Sequence, residues 1–248
     1  MTFDIRVVGT GSSGNCVVID NSLMIDAGLS VTNMKADLAT VSAVFLTHEH
    51  GDHANPAMVN HLARHRPTLL RSRVYMNTST KTALQSKVPK HHDVLDRCPV
   101  ITGHDWETTV RVLNGSTYHV KAFTLVHNVE NYGFVVTNED GDTLIYATDT
   151  ETMRHAPQQR YDYILVEGNW DEDKFSEMIG THDIAIQQRA LQNLRHLSVQ
   201  KFEEFVRKYG HDETVSYQMH CSNDLGTRSL VGREFTPETL KRRLETSG

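Results

Sequence analysis

The sequence predicts a single α/β domain, and three observations carry that expectation. Strand-like runs rich in β-branched residues occur in both halves of the chain, with helix-like stretches between them. The 248 residues suffice for one large core or two small ones, and no linker or low-complexity tract divides them. Side chains able to ligate a metal recur just past apolar runs, where a strand leaves the core.

Composition narrows the class. Hydrophobic residues at 38% and charged residues at 23% exclude a disordered chain. A net charge of −6 counts against a nucleic-acid binder that relies on its own charge alone. Bound divalent cations would reverse that balance locally, at the point where a phosphate would sit. Cys16, Cys98 and Cys221 show no CxxC spacing or paired framework, which predicts reduced thiols in a cytoplasmic protein. The N-terminus lacks the pattern of a signal peptide, and no apolar run is long enough to span a membrane.

In chain order, Phe3–Val8 reads as a strand that ends in a loop with three glycines, Gly9 to Asn15. Such loops expose backbone N–H groups that can cradle phosphate. Cys16–Ile19 and Leu23–Ile25 form a hairpin across Asp20-Asn21. A short helix over Val31–Ala39 leads to a strand at Ala43–Leu46. Pro56–His65 reads as a helix with Pro56 in its first turn, Val74–Met76 as a strand and Thr78–Ser86 as a helix. Lys87–Val110 reads as irregular, with His91-His92-Asp93 on a solvated loop. Tyr118–Val126 and Tyr132–Thr137 are strands, and a hairpin turn at Asp140-Gly141 leads into Thr143–Ala147. Tyr161–Val166 and Thr214–Gln218 are strands. Ile184–Leu194, Val199–Tyr209 and Pro237–Leu244 are helices, the second capped by Ser198 and ended by Gly210.

The polar cluster Thr47-His48-Glu49-His50-Gly51-Asp52-His53 follows the apolar run Val44-Phe45-Leu46. From composition alone, its H-x-H-x-D-H pattern would arise by chance in roughly four of a thousand such chains. Imidazoles and a carboxylate converging there suit a borderline divalent metal. His127, Asp149 and His220 have the same placement, each just past an apolar run.

These residues, His48-x-His50-x-Asp52-His53, then His127, Asp149 and His220, resemble the motif order of metallo-β-lactamase-fold hydrolases. The resemblance implies an αββα four-layer sandwich, two mixed β-sheets packed face to face with helices outside, over residues 1–248. It implies two divalent ions, Zn²⁺ or Mn²⁺. One would take His48, His50 and His127, the other Asp52, His53 and His220, with Asp149 bridging. Gly11-Ser12-Ser13-Gly14-Asn15, Asp26-Ala27-Gly28, Val166-Glu167-Gly168-Asn169-Trp170-Asp171, His196-Leu197-Ser198 and His220-Cys221-Ser222 look like the bacterial YycJ (WalJ) branch, whose members are metal-dependent DNA exonucleases. His196-x-Ser198 and His220-x-Ser222 are also similar to paired motifs of tRNase Z. The chain departs from the branch at Gly168-Asn169-Trp170, Arg195 and Asn128. It lacks the long arm of tRNase Z and the inserted β-CASP domain.

The resemblance implies a dinuclear phosphodiester hydrolase, a DNA exonuclease using a metal-bridging hydroxide, with DNA as partner and no membrane. A homodimer is one option for its oligomeric state. Asp52 would orient the nucleophile, and His196 would protonate the leaving oxygen. Glu167 is a candidate to hold His196, and a plain strand-end acid is the equal alternative. Ser12, Ser13, Asn15, Ser222 and Asn223 are the candidate substrate contacts, and Cys221 reads as a packed thiol. The rivals are a cyclic-nucleotide or other small-molecule phosphodiesterase, a non-catalytic metal-binding protein, and a β-lactam or thioester hydrolase on the same fold.

Overall fold

Two sheets carry the chain, and the strands of each present alternate faces to two different cores. The computed structural model describes residues 2–34, 37–64, 73–88, 92–221 and 234–235. The first sheet has the order β1 (Ile5–Gly9), β2 (Cys16–Ile19), β3 (Leu23–Ile25), β4 (Ala43–Phe45), β5 (Arg73–Asn77) and β6 (Val100–Ile101). Its first three strands are antiparallel and the pairs from β3 to β6 parallel. The second sheet runs in reverse chain order: β13 (Glu234–Phe235), β12 (Val215–Met219), β11 (Tyr163–Glu167), β10 (Thr143–Ala147), β9 (Asn131–Thr137), β8 (Thr117–Leu125) and β7 (Glu107–Arg111). The pairs β10–β11 and β11–β12 are parallel, and the rest antiparallel.

The side-chain period of two sorts each strand between layers. In β4, Phe45 faces the second sheet while Val44 faces helices. In β9, Phe134 and Val136 point inward and Val135 outward. Between the sheets, Val17, Ile25 and Phe45 meet Val120, Phe134 and Tyr146. Outside the first sheet, Met24, Val44 and Val74 pack against Met58, Val59 and Leu62 of α1 (Pro56–Arg64) and Leu84 of α2 (Thr78–Lys87). Outside the second, Ile145, Ile164 and Val166 pack against Phe202, Phe205 and Val206 of the helix over Val199–Tyr209. Three apolar interfaces make four layers, the αββα sandwich expected from the sequence. No helix among the described residues is long and apolar enough to cross a membrane.

Several elements differ from the sequence reading. Within Val31–Ala39 the described residues take 3₁₀ rather than α-helical form, at Val31–Met34 and Asp37–Ala39. The supposedly irregular Lys87–Val110 holds α3 (His92–Asp96), β6 and most of β7. His92 and Asp93 therefore open a helix rather than lie on a loop; His91 is outside the described residues. Between Glu167 and His196 a helix α4 (Glu172–Ile179), capped by Asp171, precedes α5 (Ile184–Asn193), capped by Asp183. The helix over Val199–Tyr209 is thus α6. Helix α4 buries none of its residues, and Ile179, Ile184, Ile186, Leu191 and Leu194 are exposed on this hairpin. The helix expected over Pro237–Leu244 lies outside the described residues.

Candidate metal centre

Strand direction gathers the chemistry on one rim. Strands β8, β10, β11 and β12 all run the same way, because β8 and β10 both oppose β9 and the other two are parallel to β10. Their C-terminal ends deliver His127, Asp149, Glu167 and His220 to the same side. The loop after β4 brings His48, His50, Asp52 and His53 from the first sheet. Ligand sites in α/β proteins form at such carboxyl ends.

The backbone turns sharply where it leaves three strands. Asp26, Asp149 and His220 have φ of 59°, 54° and 50°, the left-handed region that Asp and His tolerate better than most residues. Gly28 shows how tightly the rim is folded. A Cβ there would stand 1.7 Å from the Asp52 carbonyl oxygen, so only glycine permits the approach.

The donor atoms fall into three groups that share one carboxylate. Two hold most of the expected ligands, the first His48, His50, His127 and Asp149, the second Asp52, His53, His220 and Asp149; the third is Asp149, Glu167, His196 and His220. A tetrahedral ion with bonds of about 2.0–2.1 Å requires donors about 3.3–3.4 Å apart. In the first group His48 Nε2 is 3.0 Å from His50 Nδ1 and 3.2 Å from Asp149 Oδ2, and His127 Nε2 is 3.4 Å from His50 Nδ1. In the second, His53 Nε2 lies 3.0 Å from Asp149 Oδ2 and 3.6 Å from Asp52 Oδ2, with His220 Nε2 3.9 Å from Asp52 Oδ2. Both groups therefore have the spacing and the N/O chemistry a divalent cation needs. Asp149 Oδ1 and His127 Nδ1 are buried without a hydrogen bond among the described residues. An unpartnered buried atom such as His127 Nδ1 costs about 1–3 kcal/mol, whereas Asp149 Oδ1 has the His220 Nδ1 ion pair at 3.1 Å.

Protonation divides the histidines. Burial pushes His127 down to about 4, and burial with the neighbouring His53 lowers His48. Both are neutral at pH 7, the state a ligand requires. Burial opposes the charge on His53 too, but Asp26 and Asp149 outweigh it and hold it at about 10. His220 is likewise raised, burial being outweighed by Asp149, Asp52 and Glu167. Asp149 is held well below the carboxylate range: burial raises it, and His220, His48 and His53 overcome that. Asp52 follows the same pattern, with His220 and His53 prevailing over burial.

Beside these groups Glu167 is fully buried and fully used. Its Oε1 receives His196 Nδ1 at 2.7 Å and His220 Nδ1 at 2.9 Å, and its Oε2 accepts from the Thr150 and Leu197 amides. Burial alone would raise this carboxyl; the two imidazoles bring it below its ordinary value. His196 in turn is raised, because Glu167 outweighs its burial. Trp170 donates its indole N–H to the His196 carbonyl at 2.7 Å.

The expected substrate contacts divide. Ser12 and Ser13 are exposed on the glycine loop. Asn15 is fully buried, its side chain engaged with Gly11, the Asp52 carbonyl and His53 Nε2 at 2.8 Å. Ser222 and Asn223 lie outside the described residues. Sequence reasoning assigned no role to Asp26, which accepts from Thr47 N and Oγ1, pairs with His53 Nδ1 at 2.7 Å and receives the Tyr146 hydroxyl. It also passed over Asn169, whose amide holds the His220 carbonyl at 2.7 Å. The available signal was an acid directly after the apolar run Leu23–Ile25.

Comparison with known proteins agrees with this architecture. The family model described as the beta-lactamase superfamily domain matches residues 21–216. No curated protein is a significant match. Among solved structures, the short form of human tRNase Z superposes with a TM-score of 0.63 at 15% identity, covering 89% of this chain and 93% of that one. YhfI from Bacillus subtilis, a metallo-beta-lactamase fold protein, gives 0.62 at 14% identity over 99% and 93%. A possible metal-dependent hydrolase from Veillonella parvula gives 0.53 at 13% over 100% and 93%. At these identities the likeness is one of fold.

Proposed function

Because the chain belongs to the beta-lactamase superfamily, we propose that it is a metal-dependent phosphodiester hydrolase, acting on DNA as an exonuclease. The observation that carries the reading is the meeting of two donor groups at Asp149 with the His196–Glu167 pair beside them. The segments similar to the YycJ branch, Gly11-Ser12-Ser13-Gly14-Asn15 and His220-Cys221-Ser222, favour DNA over other diesters.

His48, His50 and His127 would hold one cation, Zn²⁺ or Mn²⁺, Asp52, His53 and His220 a second, and Asp149 both. When bound, such ions polarise a phosphate oxygen and make water nucleophilic near neutral pH. The remaining tasks belong to side chains. Asp52, whose carboxylate is partly exposed, accepts a hydrogen bond from the attacking water and orients it. Burial works against the charged His196 ring, but Glu167 at Nδ1 outweighs it and raises the group above its ordinary value, which favours keeping the ring's second proton. Its Nε2 makes no hydrogen bond among the described residues, and it donates that proton to the leaving oxygen. Glu167 fixes the ring throughout, and through the second imidazole it also orients His220.

The test is purified protein with Mn²⁺ or Zn²⁺, given end-labelled DNA, RNA and cyclic nucleotides side by side. Shortening of DNA from an end is expected. Turnover of cyclic nucleotides alone would replace the reading with a small-molecule phosphodiesterase. Metal uptake with no turnover of any diester would leave a binding protein.

A further inference from the structure

Outside the donor groups, one stretch of the rim collects cationic and imidazole side chains. His104 comes from the loop before β7, and Arg154 and His155 from the loop that follows Asp149; all three are exposed. The His104 and His155 rings are 6.3 Å apart. Arg154 Nε donates to His155 Nε2 at 2.9 Å, so the proton of that ring sits on Nδ1 and remains available as a donor. No carboxylate pairs with Arg154 among the described residues, which leaves its terminal nitrogens open. Asp105 lies 3.7 Å from His104 but is already held by Lys121 at 2.7 Å. Glu151 is the sole acid from Thr150 to Arg160. On a chain of net charge −6, this stretch is locally balanced rather than acidic: Arg154 and Lys121 offset Asp105 and Glu151, and the two imidazoles add donors.

The location is fixed by backbone contacts. The Thr124 amide donates to His104 Nδ1 at 3.2 Å, three residues before His127. Glu151 N to Val126 O at 3.1 Å and Val126 N to Thr150 Oγ1 at 3.3 Å tie the loop after Asp149 to the end of β8, next to His127. Three extended residues span about 10 Å, so the cluster stands roughly that far from the His127 side of the centre. A duplex rises about 3.4 Å per nucleotide along one strand, which puts the cluster within about three nucleotides of a phosphate at the centre.

A guanidinium with open terminal nitrogens grips a phosphate through paired hydrogen bonds, and two imidazoles add donors. A mononucleotide whose only phosphate occupies the centre has nothing to place here, whereas a strand has a neighbouring phosphate. We propose that His104, Arg154 and His155 form a backbone subsite that holds a phosphate flanking the scissile bond of a polynucleotide. This rests on the phosphodiesterase reading above.

The test compares wild type with the Arg154→Ala/His155→Ala double variant. Binding of a fluorescent 20-mer DNA to chelator-treated protein is followed by anisotropy across a salt series, and metal-loaded protein is assayed on the 20-mer and on bis(p-nitrophenyl) phosphate. The subsite predicts about tenfold weaker oligonucleotide binding, a salt slope smaller by about one, and a matching loss of 20-mer cleavage. The small diester should change less than twofold. Unchanged anisotropy overturns the subsite, and so do equal losses on both substrates. A wild type inert on both substrates strikes the hydrolase reading alone, and the anisotropy series still decides the subsite.

Discussion

His196 and Asp149 sit 3.5 Å apart, Nδ1 to Oδ1, yet their removal should have opposite consequences. His196→Ala takes away a proton donor and no atom of the two principal donor groups. Metal content should persist while turnover of an unactivated diester falls roughly 10²–10⁴-fold. A p-nitrophenyl ester, whose leaving group needs little protonation, should suffer much less. Asp149→Ala removes the carboxylate common to both groups, so metal and both activities should vanish together. Metal stoichiometry and the two rates decide; loss of metal from His196→Ala would end its assignment as acid. Asp26 offers a third case, since it touches His53 directly and His48 through Thr47, whose Oγ1 is 2.9 Å from His48 Nδ1. Asp26→Asn should weaken zinc binding about 10–100-fold, measured by competition with a chromogenic chelator.

Among the elements, α6 is held at its start by one hydroxyl with two tasks. Ser198 Oγ accepts from the Lys201 amide at 3.2 Å and donates to Glu172 Oε1 at 2.5 Å, linking the cap to α4. Ser198→Ala should cost about 1–2 kcal/mol in denaturant unfolding, and amide exchange in α4 should quicken more than in β10. A loss within error would show that Glu172 and solvent replace the cap. The same elements show what could be read in advance. Helix α6 was legible because Phe202, Phe205, Val206 and Tyr209 recur at helical spacing on one face. The cluster from His48 to His53, and His127, Asp149 and His220 with it, stood out because each follows an apolar run. Helix α4 has no buried face to impose a period, and β6 is two residues long, formed by pairing with β5. Asp26 and Asn15 stood in segments the sequence singled out, but their contacts were illegible for another reason. Their partners, His53, Tyr146 and the Asp52 carbonyl, are distant in sequence, and only the folded rim brings them together.

For the molecule as a whole, protons and cations compete for the same rim. His53 rises from 6.5 to about 10 on folding. The stability it contributes is therefore complete below pH 6.5 and is lost as pH climbs through about 10. Chelator-treated protein should melt at progressively lower temperature across that interval. An ion requires the imidazole neutral, so loading at pH 7 should release protons and tighten as pH rises. Thermal unfolding at pH 6.5 and 9, with and without Zn²⁺, checks the first point. Calorimetry in two buffers of different ionisation enthalpy checks the second. A melting temperature of the metal-free protein that rose over this range would contradict the charge assigned to His53.

The left-handed residues at the ends of β3, β10 and β12 have a consequence for descent. A non-glycine residue in that region gives up about 1–2 kcal/mol relative to its preferred conformations, and Asp26, Asp149 and His220 each accept it. Only the work of the side chain sets against that preference. Glycine at any one of these positions would relax the backbone, but at Asp26 or Asp149 it would also strand the buried His53 that those carboxylates hold charged. Erosion of the site would thus be uphill one residue at a time, and a duplicate gene drifting out of use should lose the histidine and its carboxylate partners together.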